Sequence, residues 1–330
     1  MRGMSGARYR LVTRSDFDGL VCAMLLKELD MVDDILFVHP KDVQDGKVDI
    51  TGRDITTNLP YDERAYLVFD HHLSETIRNR TQPANHVIDA RAPSAARVVY
   101  DYFGGEARFP TVSHELMAAV DQADSAQYSL KDILHPTGWV LLNFLMDART
   151  GLGRFRQFTI SNYQLMMQLI DYCRNHTVEE ILELPDVKER VEVYFGQADA
   201  FREQLQRCST LDGEVVVLDL RDEELIHAGN RFMIYALYPE CTVSVHLMWG
   251  RAQQNSVLAV GKSIINRSSR ANIGEICLRY GGGGHEAAGT CQVPHTRAGK
   301  VLEEIIHTVN AASESSSEME ATTDEERALR

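Results

Sequence analysis

The chain has 330 residues, of which 44% are apolar and 25% are charged, and it carries a formal charge of −14 at pH 7. These values exclude a collagenous or largely disordered chain, and at roughly 150 residues per domain they predict a soluble globular protein of two domains. The net acidity disfavours a protein that holds long duplex nucleic acid, because such proteins usually need a basic face. No apolar run approaches the roughly 18 residues that span a bilayer, and the polar first residues do not resemble a secretory signal.

The six cysteines are far apart in the sequence and form no CxxC pair. This spacing excludes a zinc ribbon and disfavours a disulfide-stapled scaffold, so we expect a cytoplasmic protein. The cysteines concerned are Cys22, Cys173, Cys208, Cys241, Cys277 and Cys291.

The first half of the chain alternates predicted strands and helices. Strands are expected at 8–13, 35–39, 66–69 and 86–88, and helices at 19–29, 94–103 and 113–120. This alternation is typical of βαβ units and a parallel sheet, in which functional groups gather beyond the carboxyl ends of the strands.

The second half begins with an almost wholly helical region, at 138–208, and continues with strands at 215–220, 241–249 and 257–262. We therefore predict an α/β protein with an N-terminal parallel-sheet domain over residues 1–185 and a connecting helix over 186–212. A smaller C-terminal α/β domain is expected over residues 213–311. The acidic, serine-containing segment 312–330 is predicted to be a disordered tail.

Carboxylates and imidazoles follow successive predicted strands and one predicted helix. The residues concerned are Asp16, Asp18, Asp54, Asp70, His71, His72, Asp121 and Asp124. Each motif alone is weak evidence for a metal site. A DFDG sequence is most often a turn or helix cap, and a His-His pair more often lies on the surface or in the core. Together they form a ligand set that suits Mn²⁺, Mg²⁺ or Zn²⁺.

Four consecutive glycines, at 281–284, are followed by His285 and small residues. Such a run is not expected inside a helix or strand, and it predicts a loop that enters a helix and offers backbone amides to an anion. A flexible linker is the alternative. Arg267, or Arg270, could bind a terminal phosphate, although a solvated surface run explains both equally well. A further basic group near the glycines of the helical region, Arg149, Arg154 and Arg156, is a weaker candidate.

These motifs resemble the DHH phosphoesterase superfamily, in the branch that carries a DHH-associated C-terminal domain. The DxDG motif is matched by residues 16–19, the DHH triplet by residues 70–72, and the glycine-rich signature by residues 281–289. Asp124 and Ser125 resemble the family's Asp-Thr step. The resemblance covers residues 8 to 295, and similar short proteins are described as oligoribonucleases, cyclic-dinucleotide phosphodiesterases or exopolyphosphatases.

The resemblance implies a role for each matched residue. Asp16 would ligate a first metal ion, and Asp18, His71 and Asp124 would ligate a second, with Asp121 as the less favoured substitute for Asp124. Asp54, or its competitor Asp49, would bridge the two ions. His72 would assist the leaving group, and Asp70 would hold a histidine ring. The substrate would be bound by Gly282, Gly283, Gly284, His285 and Arg267.

One position departs from the family pattern. Many relatives carry a histidine four residues before the first aspartate, where this chain has Val12. The first metal site therefore loses an imidazole, and a family member without activity is the alternative that this loss suggests.

The resemblance implies a divalent-metal-dependent phosphodiesterase that uses metal-activated water to hydrolyse short oligonucleotides, or linear or cyclic dinucleotides, to mononucleotides. Two Mn²⁺ ions per subunit are expected, with Mg²⁺ or Co²⁺ as alternatives. The alternative functions are an exopolyphosphatase and a nucleotide-binding sensor without turnover. The expected partner is a short nucleotide or phosphate-chain substrate, with no long duplex and no membrane, and a homodimer is left open.

Overall fold

The computed structural model describes residues 8–72, Glu75 and residues 83–328, and beyond residue 312 it describes the backbone only. The chain divides into two compact units. The first unit comprises Met1–Tyr128 and His135–Phe195, and the second comprises Ser129–Leu134 and Gly196–Arg330.

The first unit is built on a five-stranded sheet. Its strands are β1 Tyr9–Arg14, β2 Val32–Val38, β3 Asp54–Thr57, β4 Leu67–Asp70 and β5 His86–Ile88. The strand order is β2-β1-β3-β4-β5, and every pair is parallel. This sheet confirms the predicted parallel α/β fold, and β3 is the strand that the sequence did not predict.

Helices connect these strands and continue beyond the sheet. They are α1 Phe17–Glu28, α2 Pro40–Gln44, α3 Ala95–Phe103, α4 His114–Asp124, α5 Leu130–Leu134 (part of the second unit), α6 Gly138–Met146, α7 Asn162–Asn175, α8 Val178–Leu182 and α9 Pro185–Gly196. Helix α1 is buried on all sides from Phe17 to Leu26. A helix that is apolar all round is expected to lie inside a domain in this way.

The second unit holds a six-stranded mixed sheet. Its strands are β6 Ser209–Asp212, β7 Val215–Asp219, β8 Val243–Trp249, β9 Ser256–Lys262, β10 Gly283–His285 and β11 Ala288–Val293. The order is β10-β11-β9-β8-β7-β6, with β7 and β8 parallel and the other pairs antiparallel. Its helices are α10 Ala198–Cys208, α11 Met233–Leu237, α12 Ile273–Leu278 and α13 His295–Ala328.

The division of the chain differs from the predicted boundaries. The segment Ser129–Leu134 belongs to the second unit. There Ile133 is fully buried, and its carbonyl accepts a hydrogen bond from Asn230 Nδ2 at 3.3 Å. The predicted connecting helix is two helices, α9 and α10, and the units divide between Phe195 and Gly196.

The last helix, α13, includes most of the segment predicted to be a disordered tail. Most side chains of residues 312–330 lie outside the described residues, so the disorder of this segment stays a prediction. Within the described part of the chain, no helix has both the length and the apolar character that a membrane span needs.

Candidate metal centre

Three neighbouring strands of the first sheet end at the same edge. Because β1, β3 and β4 are adjacent and parallel, the residues that follow them lie close together. Asp16 and Asp18 follow β1, Asn58 follows β3, and His71 and His72 follow β4. This edge therefore collects carboxylate, amide and imidazole groups.

Asp18, His71 and Asp124 form a convergent group at this edge. Each offers one ligand atom, and the three atoms lie within 4.8 Å of one another. Asp124 is the last residue of α4. No other group of three potential ligands was found among the residues that the structure describes. One imidazole and two carboxylates form a donor set that suits a divalent ion such as Mn²⁺.

Asp121, the substitute considered for Asp124, is held by other partners. Its carboxylate accepts hydrogen bonds from Ser94 Oγ at 2.8 Å and from Arg97 Nη2 at 2.5 Å. Since these donors already neutralise Asp121, Asp124 remains the better candidate ligand.

Asp18 is a buried carboxylate, with only 2% of the residue exposed. Its two oxygens accept hydrogen bonds from the backbone N–H groups of Ala95 (3.0 Å) and Ala96 (2.7 Å), in the first turn of α3. Burial raises the pKa of Asp18 well above its usual value and Asp124 raises it further, whereas His71 lowers it. A cation bound here would stabilise the charged carboxylate.

His71 has the hydrogen bonding of a metal ligand. Its Nδ1 lies 3.2 Å from the carbonyl oxygen of Ala92, to which an Nδ1–H would donate, and this contact leaves Nε2 facing Asp124. Nε2 is buried and lies 2.9 Å from Asp124 Oδ2. The pKa of His71 is raised to about 9, because Asp124, Asp18 and Asp70 together outweigh the lowering effect of burial. These groups fit a divalent cation.

The other two residues of the DHH triplet contact each other. His72 Nδ1 lies 2.7 Å from Asp70 Oδ1. Asp70 is fully buried, and its second oxygen, Oδ2, makes no hydrogen bond in the described part of the chain. Asp70 therefore orients the ring of His72, while His71 turns to Ala92 and the cluster.

Asp16 lies beside the cluster but has different partners. Arg14 Nε lies 2.9 Å from Asp16 Oδ2, the Gly19 N–H donates to Oδ1 at 2.9 Å, and Asn58 Nδ2 lies 3.3 Å from Oδ1. Burial raises the pKa of Asp16, and Arg14 opposes that rise. Neither Arg14 nor Asn58 was identified from the sequence. Arg14 is the last residue of β1, and Asn58 directly follows β3.

The glycine of the DFDG motif is required by a close backbone approach. A Cβ atom at Gly19 would lie 2.0 Å from the carbonyl oxygen of Arg14 and 2.7 Å from Thr13 Oγ1. Only glycine lets the first turn of α1 pack this closely against the end of β1. The backbone of Asp18 is fixed by this contact.

Asp54, predicted as the bridging ligand, is not brought to this edge. It pairs in register with Arg10, near the start of β1, and its carboxylate accepts from Arg10 Nε (2.7 Å), Arg10 Nη2 (2.9 Å) and the Thr51 N–H (2.7 Å). Its competitor Asp49 is exposed and lies before β3. The residue that directly follows the carboxyl end of β3 is Asn58. Asn58, and not Asp54, is therefore the residue that lies beside Asp16.

One solved structure shows the family to which this chain belongs. No protein-family model and no curated protein sequence matches the chain. Among solved structures, the chain is similar to the pGpG-specific phosphodiesterase PggH of Vibrio cholerae, with 59% sequence identity and a TM-score of 0.79 over 92% of this chain and 100% of that one. The chain belongs to the DHH phosphoesterase superfamily.

Two more distant similarities of this DHH protein have TM-scores below 0.5. RecJ from Thermus thermophilus in complex with Mn²⁺ is 15% identical, with a TM-score of 0.47 over 91% of this chain and 51% of that one. CDC45 from Entamoeba histolytica is 10% identical, with a TM-score of 0.48 over 92% and 95%.

In this DHH protein, the glycine-rich segment forms a hairpin rather than the predicted loop entering a helix. Strand β10 pairs with β11, with Gly284 opposite Gly289. A Cβ atom at Gly282 would lie 2.1 Å from the carbonyl oxygen of Thr290, and one at Gly284 would lie 2.2 Å from that of Ala288. The expectation that glycines cannot form a strand here was wrong, because close packing of two backbones excludes side chains.

The remaining predicted substrate contacts lie on the surface of the second unit. His285, at the end of β10, and Arg267 are both exposed. Arg267 Nε donates to the carbonyl oxygen of Ile264 at 3.0 Å. Their role in binding substrate stays a prediction, as does that of Gly283.

Proposed function

We propose that this chain hydrolyses a short linear 5′-phosphorylated dinucleotide of the pGpG type to mononucleotides, in a reaction that needs a divalent metal ion. The observation that carries this proposal is the 59% identity to a pGpG-specific phosphodiesterase over that protein's whole length. The convergent group of Asp18, His71 and Asp124 supports the metal requirement.

Asp18, His71 and Asp124 are the residues that would hold the ion. A divalent ion in such a site lowers the pKa of a bound water and stabilises negative charge on phosphoryl oxygens. The N–H groups of Ala95 and Ala96 hold the Asp18 carboxylate in place and favour its charged form, and the Ala92 carbonyl orients the ring of His71 so that Nε2 faces Asp124. Mn²⁺ is the ion we propose, because the set mixes one imidazole with carboxylates.

His72 is proposed to protonate the leaving oxygen. Its Nδ1 contact with Asp70 fixes the ring, so Nε2 is the nitrogen that would deliver the proton. Asp70 acts through His72 and is a positioning residue.

In the second unit, His285, Arg267 and the N–H groups of the glycine hairpin, at Gly282, Gly283 and Gly284, are proposed to contact the substrate phosphates or bases. The exposure of His285 and Arg267 supports this role. The cytoplasmic location and a homodimer remain predictions.

The test is a substrate panel with the purified full chain. The panel contains pGpG, pApA, cyclic di-GMP and polyphosphate, each with Mn²⁺, Mg²⁺ or Co²⁺, and products are separated by chromatography. We expect GMP from pGpG with Mn²⁺. Phosphate release from polyphosphate alone would support the exopolyphosphatase instead, and binding of pGpG without product would support the sensor.

A variant pair ties that activity to the site. Asp18→Asn removes a proposed ligand, whereas Asp171→Asn removes an exposed carboxylate that pairs with Lys27 on the surface. We expect product from the second variant but not from the first. Equal activity of both variants would contradict the proposed site.

A further inference from the structure

Asp16 has a guanidinium and an amide as side-chain partners, whereas Asp18 accepts from two backbone N–H groups and a thiol. Arg14 Nε lies 2.9 Å from Oδ2, the Gly19 N–H donates to Oδ1 at 2.9 Å, and Asn58 Nδ2 lies 3.3 and 3.4 Å from the two oxygens. The carboxylate is therefore neutralised and hydrogen bonded by the chain itself. A metal ion at Asp16 would have to displace these donors or share the carboxylate with a guanidinium.

The orientation of the Asn58 amide follows from the chemistry of its neighbour. Both oxygens of Asp16 are acceptors, so the NH₂ end of the amide must face them. An aspartate at position 58 would place two carboxylates against each other unless a cation lay between them. The neutral Asn58 is thus compatible with an Asp16 position that holds no ion.

Val12 also contributes no ligand. Its side chain is fully buried in an apolar cluster with Ile50, Leu59, Ala65 and Val68. The position where many relatives carry a histidine is therefore part of the core in this chain. The chain therefore has Val12 where the resemblance predicts an imidazole, and the neutral Asn58 beside Asp16 where a second carboxylate is expected.

Arg14 brings a positive charge to the same place. Its side chain is 35% exposed, and within the described residues its guanidinium has no ion pair other than that with Asp16. The guanidinium carries five N–H groups in one plane, and its ion pair with Asp16 is made through Nε. The Nη groups match the spacing of two phosphoryl oxygens.

We propose that the chain binds one divalent ion, at Asp18, His71 and Asp124, and that the Arg14 guanidinium binds the phosphoryl oxygens in place of a second ion. Asp16 and Asn58 position Arg14 for this task. The part that concerns Arg14 and phosphate rests on the proposed function. The part that concerns the number of ions does not.

The number of ions is measured on the full chain without substrate. After saturation with Mn²⁺ and removal of free ion, we expect about one Mn per chain by mass spectrometry and the six-line electron paramagnetic resonance spectrum of an isolated ion. Asp18→Asn should lose this ion, and Asp16→Asn should keep it. Two ions per chain with a spin-coupled spectrum would overturn the proposal, whatever substrate the enzyme cleaves.

The role of Arg14 is measured by kinetics and metal content together. Arg14→Gln should keep one Mn per chain but lose about 100-fold or more in turnover, and Arg14→Lys should recover part of that loss because it keeps the charge. The double variant Arg14→Gln with Asn58→Asp should bind a second Mn, since it removes a cation and adds a carboxylate. Full turnover by Arg14→Gln would overturn the assignment of Arg14 to phosphate.

Discussion

The two edges of the first sheet carry the same kinds of residue and use them differently. At the amino edge, Asp54 is 1% exposed and accepts two hydrogen bonds from Arg10. At the carboxyl edge, Asp18 is as deeply buried, but its donors are two backbone N–H groups and the Cys22 thiol, with Sγ 4.0 Å from Oδ1, and it faces a second carboxylate, Asp124. The presence of a cationic partner, rather than residue type or burial, distinguishes the ion-paired Asp54 from Asp18, the proposed metal ligand.

The largest expected effect is the loss of the ligand at the carboxyl edge. Asp18→Asn should lower turnover by about 1,000-fold or more, because the bound ion supplies most of the charge stabilisation at the phosphoryl group. Turnover and Mn content are measured on the same samples. If this variant kept its bound Mn, Asp18 would not be a metal ligand, and the proposed difference between Asp18 and Asp54 would be wrong.

Removal of the carboxylate at the amino edge should act on stability instead. Asp54→Ala leaves Arg10 without its partner, and because Arg10 is about one-third exposed we expect a loss of about 3 kcal/mol in the free energy of unfolding. Urea unfolding measures this loss, with the exposed Asp49→Ala as the matched control. Mn content and turnover per folded molecule should not change, and a loss of Mn would show that Asp54 is a ligand after all.

Metal binding should stabilise the fold only through the carboxyl edge. With free Mn²⁺ at about ten times its Kd, linkage raises the free energy of unfolding by about 1.4 kcal/mol relative to chelated protein. Thermal unfolding with and without EDTA measures this shift. Asp54→Ala should keep the shift and Asp18→Asn should lose it, and a shift in both variants would point to an ion bound elsewhere.

The smallest expected effect concerns a histidine that lacks carboxylate neighbours. Burial, with Arg231 adding to it, lowers the pKa of His246 on β8 to about 4, whereas carboxylates raise that of His71. Between pH 6.5 and 4 the unfolded chain binds more protons at His246 than the folded one, so stability falls as pH falls. We expect His246 to contribute a loss of about 1 kcal/mol between pH 7 and pH 5.5, which His71, with its raised pKa, opposes.

Urea unfolding at the two pH values checks this effect. His246→Gln should shift the change in stability between the two pH values by about 1 kcal/mol relative to the parent chain. The control His114→Gln, at an exposed position, should keep the parent's change. An unchanged pH dependence in His246→Gln would show that this ring does not titrate below its usual pKa.

The sequence predicts a strand best where an apolar run leads into a recognisable motif such as DFDG or DHH. Strands β1 and β4 are short apolar runs, and each leads directly into a residue motif, so both their place and the residues at their ends are readable. Strand β3 is not readable, because DITT is short and begins with a charged residue, while the preceding VDIT resembles it. That ambiguity is why Asp54 was placed at the wrong end of the strand and Asn58 was missed.

Backbone contacts are the second kind of feature that the sequence does not show. Gly282, just before β10, and Gly284, in β10, are needed because the carbonyl oxygens of Thr290 and Ala288 lie where their Cβ atoms would be. The requirement for glycine comes from the pairing of this segment with β11, which the sequence does not show. The run of glycines by itself favours a loop. The pairing of Arg14 with Asp16 is equally dependent on a turn that only Gly19 permits.

The contact at Gly19 limits how this centre can be redesigned. Since even a methyl group at Gly19 would clash with the carbonyl of Arg14, the path of the main chain through the DFDG turn is closed to substitution. Attempts to change which ion the protein prefers therefore have to work through side chains that the turn leaves free to vary. Positions 14 and 58 are the two places where such engineering should begin.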